Sequence, residues 1–327
     1  MCDMDISIAG NSSLAYYCVE KLCRNDIKVA RIFIPAKGYS HSDDAMDFSG
    51  LRGEFDFDII TVPNKSDVKY TTDILINLEW PGTLQLPVKS KLGIVDSNLA
   101  GQFDNEYLLD IAADIYNGRK MVEVQLLLDQ AFGDNQASEP LRYEPPFFQV
   151  LSSASLELNH LDDLRSAKTK AITRFFRLLH KILIRINNGE SMPKPIKTEL
   201  LFSKVKTERI IDWTKGAMYL HNLIRALTHP GPGAQTWYDD RKVTIWRGHY
   251  FELAETNYIG YEPGAILDVI EELGLIVKTG HGSFLATRIQ SAGAPELPAW
   301  VWADKEHVNI GDKFNVHAFN NNYAEKV

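Results

Sequence analysis

Residues 4–22 read MDISIAGNSSLAYYCVEKL, and this stretch decides the fold. Ile6 to Gly10 is a short apolar run that stops at Gly-Asn-Ser-Ser. Leu14, Cys18 and Leu22 then recur at helical spacing on one face. Val29 to Pro35 is a second apolar run. Two strands joined through a helix have the connection a parallel pair needs, so the unit predicts an α/β fold with a mainly parallel sheet. Gly10-Asn11-Ser12-Ser13 has two readings. It could cradle an anion at a helix N-terminus, or it could be a tight strand-to-helix turn with a serine cap. It lacks the Gly-x-Gly-x-x-Gly spacing of a dinucleotide site.

Working outward, further strands are expected at Asp58–Val62, Ile74–Leu78, Gly93–Val95 and Glu123–Leu128, with a helix at Glu106–Tyr116. Residues 36–57 are polar, acidic and glycine-bearing, which reads as a long surface loop. Leu164, Ala167, Ala171, Phe175, Leu178, Leu179, Ile182 and Ile186 form a helical stripe that Asn187-Asn188-Gly189 ends. This predicts one unit over residues 1–190, a linker over 191–212 and a second unit over 213–327. In the last unit a helix at Thr214–Leu227 stops hard at Thr-His-Pro-Gly-Pro-Gly. Short strands follow at Gln235–Tyr238, Lys242–Trp246, Ala265–Ile270, Gly274–Lys278 and Ser283–Ile289. Their turn-separated pattern predicts a small β-barrel or half-open sheet. Trp237 and Trp246, on neighbouring strands, are expected in its core.

The chain has 327 residues, of which 45% are apolar, enough for sizeable cores. A net charge of −8 argues against a phosphate backbone as the main partner, since nucleic-acid binding rests on clustered Lys and Arg. The three cysteines, Cys2, Cys18 and Cys23, are odd in number and form no Cys-x-x-Cys pair. That suits a reducing compartment and predicts no metal site. No apolar run reaches the roughly 18 residues of a membrane span, and the acidic start does not look like a signal peptide. A cytoplasmic protein with no membrane partner is expected.

The stretch KLGIVDSNLAG, residues 91–101, ends an apolar strand in Asp96, Ser97 and Asn98. A buried parallel strand ending in a polar cluster is where α/β proteins place chemistry.

Residues 211–248, IDWTKGAMYLHNLIRALTHPGPGAQTWYDDRKVTIWRG, carry Ile-Asp-Trp, His-Asn-x-x-Arg-Ala and Pro-x-Pro-Gly-Ala in order. This segment resembles the one that joins the two domains of folate-dependent formyltransferases, a family that includes methionyl-tRNA formyltransferase and amino-sugar N-formyltransferases. Residues 4–22, 73–98 and 262–290 resemble the family's opening unit, its approach to the active site and its C-terminal barrel. The resemblance implies a Rossmann-like formyltransferase domain followed by a small β-barrel-like domain. It also implies 10-formyltetrahydrofolate as cofactor, a small amine such as an amino sugar nucleotide or modified amino acid as acceptor, and a homodimer.

The family carries Asn-x-His after this strand and an Asp further on. The resemblance places Asp96, Asn98 and Asp134 at those catalytic positions, and Trp80, Leu84, Leu86 and Gly133 at the folate. Here Asp replaces the Asn and Asn replaces the His. The family His can relay a proton and the Asn can donate to the oxyanion. Asn98 takes no proton, and ionised Asp96 donates no hydrogen bond. Losing one oxyanion donor costs roughly 3–4 kcal/mol of transition-state stabilisation. Two solutions are open. Asp96 and Asp134 could share a proton, with Asn98 as the oxyanion donor. Alternatively the chain is a catalytically inactive relative that binds a ligand or partner. His221 and Arg225, one helical turn apart, have two readings: a substrate contact or a satisfied polar contact between the domains. Against the tRNA branch stands the acidic loop with Asp43, Asp44 and Asp47.

Overall fold

The structure, a computed structural model, describes residues 4–36, 45–63, 69–80, 88–97, 107–129, 148–191, 193, 196–198, 204–206, 209–251, 258 and 260–315. The first elements are β1 (Ile6–Ala9), α1 (Ser13–Arg24), β2 (Val29–Pro35), α2 (Ser49–Glu54), β3 (Asp58–Val62), β4 (Tyr70–Asn77) and β5 (Val88–Ser97). There follow β6 (Tyr107–Leu109), α3 (Asp110–Tyr116), β7 (Met121–Asp129), β8 (Phe148–Glu157), α4 (Leu164–Asn187), β9 (Ile196–Thr198) and β10 (Lys204–Lys206).

The main sheet has the order β3-β2-β1-β4-β5-β7-β8-β9. Its pairs from β3 to β5 are parallel, and those from β5 to β9 are antiparallel. The chain winds from β1 outward to β3, then returns to β4 on the other side of β1. That reversal makes a switch point between β1 and β4, the position where open α/β sheets leave a crevice.

Apolar spacing explains the helices that cover the sheet. In α1, Leu14, Ala15, Cys18, Val19 and Leu22 are all buried, and Ser12 caps the helix by accepting from Ala15 N at 3.4 Å. Helix α4 buries Leu164, Ala167, Ala171, Phe175, Leu179 and Ile182 of the expected stripe and packs on β7 and β8, while Leu178 and Ile186 stay half-buried. Asp163 and Ser166 cap its start reciprocally, Ser166 N donating to Asp163 Oδ1 at 2.9 Å and Asp163 N to Ser166 Oγ at 3.0 Å. Such a cap is worth about 1 kcal/mol.

Two local expectations are corrected. The helix expected from Glu106 begins at Asp110, because residues 107–109 form β6 and pair antiparallel with β10. Tyr107, Leu108 and Leu109 are consecutive apolar residues, and a distant strand partner overrides their helical spacing. The loop expected over 36–57 contains α2, where Phe48 and Leu51 are buried against α1 and the core. β9 and β10, in the stretch 191–212, both pair with strands of the first half.

The remaining elements are α5 (Ala217–Leu227), β11 (Ala234–Tyr238), β12 (Arg241–Phe251), β13 (Ile266–Ile270), β14 (Gly274–Lys278), β15 (Ser283–Ser291), β16 (Leu297–Pro298) and α6 (Ala299–Lys305). The antiparallel order is β11-β12-β15-β14-β13, with β16 added to β15. Both edges are bridged by one segment near the C-terminus. Asn315 pairs with Trp237 of β11, and Lys313 pairs with Ala265 just before β13. The sheet is thereby almost closed, which protects its edges. The interior holds Trp213, stacked on Phe314 at 5.6 Å between ring centres, with Trp302 on the other side at 5.9 Å. The expectation for Trp237 and Trp246 is corrected: both are only half-buried. Along β11 the inward positions are Ala234, Thr236 and Tyr238, so the period of two turns Trp237 outward.

Candidate functional site

The C-terminal ends of the parallel strands define the candidate site. Ala9 of β1 pairs with Asn77 of β4, and Asn77 pairs with Asp96 of β5. Asp96 therefore sits one strand spacing, about 5 Å, from Asn77 and two from Ala9. Asp96 is also the register partner of Leu127 on β7.

Gly10 follows β1 with φ at +137°, and a Cβ there would lie 2.0 Å from the Leu78 carbonyl oxygen. Only glycine lets the β1–α1 turn pass this closely over the end of β4. Backbone bonds lock the approach: Gly10 N donates to Phe33 O at 2.9 Å and Leu78 N to Ala9 O at 2.8 Å. The serine-cap reading of this turn matches the geometry at Ser12.

The segment after β4 is held as firmly. Buried Asn77 accepts from Trp80 N at 3.2 Å. Trp80 is 3% exposed and packs with Ala9, Phe33, Val62, Leu75 and Val88. Glu79 between them has φ at +61°, a left-handed conformation that strains a side chain other than glycine. Its carboxylate pairs with Lys168 of α4 at 3.1 Å, with both side chains largely buried, while Oε2 has no hydrogen-bond partner among the described residues. Cys18 lies close by. Burial first and the Glu79 charge second push its thiol well above the ordinary value, which keeps it in the protonated form.

The pairing of Glu79 with Lys168 is not encoded in local sequence spacing. The available signal was an acidic residue closing an apolar strand in NLEWPG. Asn98, Asp134, Leu84, Leu86 and Gly133 lie outside the described residues, as do 37–44 of the acidic loop. Among the described residues, no three His, Cys, Asp or Glu side chains form a metal-sized cluster, and no helix is long and apolar enough to cross a membrane.

A second constellation joins the two halves of the chain. Arg225 of α5 is buried, and its Nη1 donates to the carbonyls of Asp162 at 2.8 Å and Asn159 at 3.2 Å. Its Nη2 reaches Ile115 O at 3.3 Å, at the end of α3, and its Nε reaches Asn222 Oδ1 at 3.0 Å. His221 Nε2 lies 2.9 Å from His160 O, and its Nδ1 lies 3.2 Å from Gly248 O on β12. A neutral imidazole donates to only one of these carbonyls. Burial is the main reason His221 titrates below the ordinary histidine value, with Arg225 and His249 adding to it. For Asp162, burial pushes upward, but Lys170, Asn159 N and Ser166 hold the carboxyl below its ordinary value. Arg225 is thus taken up at the joint between the halves, while one His221 ring nitrogen faces a carbonyl without donating to it.

Comparison with known proteins agrees with this architecture. Residues 204–307 match the family of the formyl transferase C-terminal domain. A methionyl-tRNA formyltransferase of Symbiobacterium thermophilum is 29% identical over 141 residues, 42% of this chain and 42% of that protein. One from Dechloromonas aromatica is 32% identical over 127 residues, 38% of this chain and 39% of that protein. The chain thus spans about two-fifths of the length of these relatives in the matched stretch. Among solved structures, an N-formyltransferase from Helicobacter canadensis, in complex with folinic acid and dTDP-3-aminofucose, has a TM-score of 0.55. It is 14% identical and covers 88% of this chain and 99% of its own. HypX from Aquifex aeolicus in complex with tetrahydrofolic acid has a TM-score of 0.56 at 13% identity, covering 95% of this chain and 49% of its own. At these identities the likeness is one of fold.

A Rossmann-like parallel sheet followed by a nearly closed antiparallel sheet is therefore a formyltransferase fold. Residues 204–307 thus match the formyl transferase C-terminal domain, and the chain as a whole shares its fold with a solved N-formyltransferase.

Proposed function

We propose that the protein transfers a formyl group from 10-formyltetrahydrofolate to the amine of a small substrate, such as an amino sugar nucleotide or a modified amino acid. The observation that carries this reading is the register Ala9–Asn77–Asp96, which sets a carboxylate-bearing strand end beside the switch point of a formyltransferase fold. Asp96, Asn98 and Asp134 would be the catalytic group, and Trp80, Leu84, Leu86 and Gly133 would border the folate. In that site an Asp96–Asp134 pair sharing one proton would accept the proton of the attacking amine. The Asn98 amide would donate to the formyl oxygen as it becomes an oxyanion. Folate supplies an activated one-carbon unit when bound; the chain's residues orient it and move the proton.

The net charge of −8 supports a small acceptor over a nucleic acid. The Asp96 and Asn98 departures favour a second reading, a ligand-binding relative without turnover. Calorimetric titration with a stable formyl-folate analogue, followed by turnover on a panel of amines and an aminoacyl-tRNA, separates these readings. Saturable binding with turnover on a small amine is expected. Binding without turnover would leave the second reading, turnover on the tRNA alone would replace the acceptor, and no binding at millimolar ligand would end the folate assignment.

A further inference from the structure

Between the start of α4, the end of α5 and strands β12 and β15, two adjoining cavities measure about 450 and 250 Å³ and share Asp163, Trp246 and Arg247. Both β5 and β8 run antiparallel to β7, so β8 ends on the same side of the sheet as Asp96. From the level of Asp96, which matches Val150 through Leu127, β8 continues to Glu157. At about 3.4 Å per residue that is roughly 24 Å. The groove takes part of its lining from residues 161–166, beyond that point along the chain, and among the described residues its lining shares none with the candidate site.

Three guanidinium groups line the larger cavity: Arg165, Arg247 and Arg288. Two carboxylates face them, and both are already engaged. Glu296 accepts from Arg288 Nε at 2.6 Å through one oxygen and lies 3.1 Å from His229 Nε2 through the other. Asp163 meets Arg247 at 3.2 Å through Oδ2 and caps α4 through Oδ1. The rings are fixed as well. His229 lies flat on Trp246, 3.7 Å between centres and 9° from parallel, and Trp246 Nε1 donates to Gln290 Oε1 at 2.8 Å.

Three positive charges against two negative leave one in excess, on a chain whose net charge is −8. Among the described residues Arg165 makes no ion pair, and it stands exposed in the first turn of α4, where the helix dipole adds positive potential. Arg288 has committed its Nε, and the rest of its planar fork suits a phosphate or carboxylate. We propose that this groove binds a small-molecule oxyanion, a phosphate or a carboxylate, through Arg165 and Arg288 against the wall made by Trp246 and His229.

The test is calorimetric titration of the full chain with inorganic pyrophosphate at constant ionic strength, with tryptophan fluorescence read in parallel. Saturable binding is expected, with affinity falling tenfold or more in Arg165→Glu, a change at an exposed position. Arg288→Lys keeps the charge but loses the fork, and a fall of several-fold is expected there. Trp246→Phe should abolish the fluorescence change while binding persists. Comparing inorganic phosphate with adenosine monophosphate then separates the sources. Equal affinity points to a free ion. Tighter binding of the nucleotide points to a phosphorylated small molecule whose ring packs at Trp246. Absence of saturable heat, or affinity unchanged in both arginine variants of unaltered urea midpoint, would overturn the proposal. None of these readouts requires folate or formyl transfer.

Discussion

At the joint between the halves, Arg225 gives its donors to three backbone carbonyls and one amide oxygen, whereas beneath the crevice Glu79 holds Lys168 and leaves Oε2 with no partner among the described residues. The first charge is matched by backbone that no substitution can remove. The second is matched by a side chain that substitution can. Arg225 itself lies within residues 204–307, the stretch that matches the formyl transferase C-terminal domain. The strand end at Asp96 is where the proposed site would differ from the pattern that the family resemblance implies.

The contrast can be broken, beginning with the largest expected effect. Arg225→Met leaves the carbonyls of Asp162, Asn159 and Ile115 without their donor, and should destabilise the protein by about 3–5 kcal/mol. Urea unfolding measures this. Gly10→Ala forces a methyl against the Leu78 carbonyl at a strained φ and should cost about 2–3 kcal/mol in the same experiment. The pH dependence gives a smaller effect. His221 titrates below its unfolded value, so the unfolded chain binds more protons once pH falls through about 6.5. Stability is therefore full above that pH and is lost toward the folded value. His221→Gln should flatten the slope of unfolding free energy between about pH 7 and 5. The smallest effect belongs to the pair. Glu79→Gly with Lys168→Met removes both charges and relieves the left-handed strain, and should change stability by less than about 1 kcal/mol. A loss as large as that of Arg225→Met would erase the distinction between the two regions.

The sequence disclosed most where one period dominates. β2 and β3 run over the residues their apolar runs mark, and α4 buries its spaced Leu, Ala and Phe residues. β8 carries a weak signal, because FQVLSSASLE interleaves serines with apolar residues and its partner β9 lies farther along the chain. β6 has the local spacing of a helix, and its strand partner β10 is remote. The candidate site was partly legible. Asp96 was placed at a strand end by its polar run, while its neighbourhood with Asn77 came from sheet register. Glu79 and the arginine groove depend on contacts between α4 and distant strands, which spacing along the chain does not encode.

The most direct test of formyl transfer is the passage of a ¹³C-labelled formyl group from 10-formyltetrahydrofolate to a small amine, followed by NMR, in the full chain and in Asp96→Ala. Formylated amine in the parent, with a rate lowered at least 100-fold in the variant, is the expected result. Label that stays on the folate in the parent protein, or a transfer rate equal in both, would contradict the account.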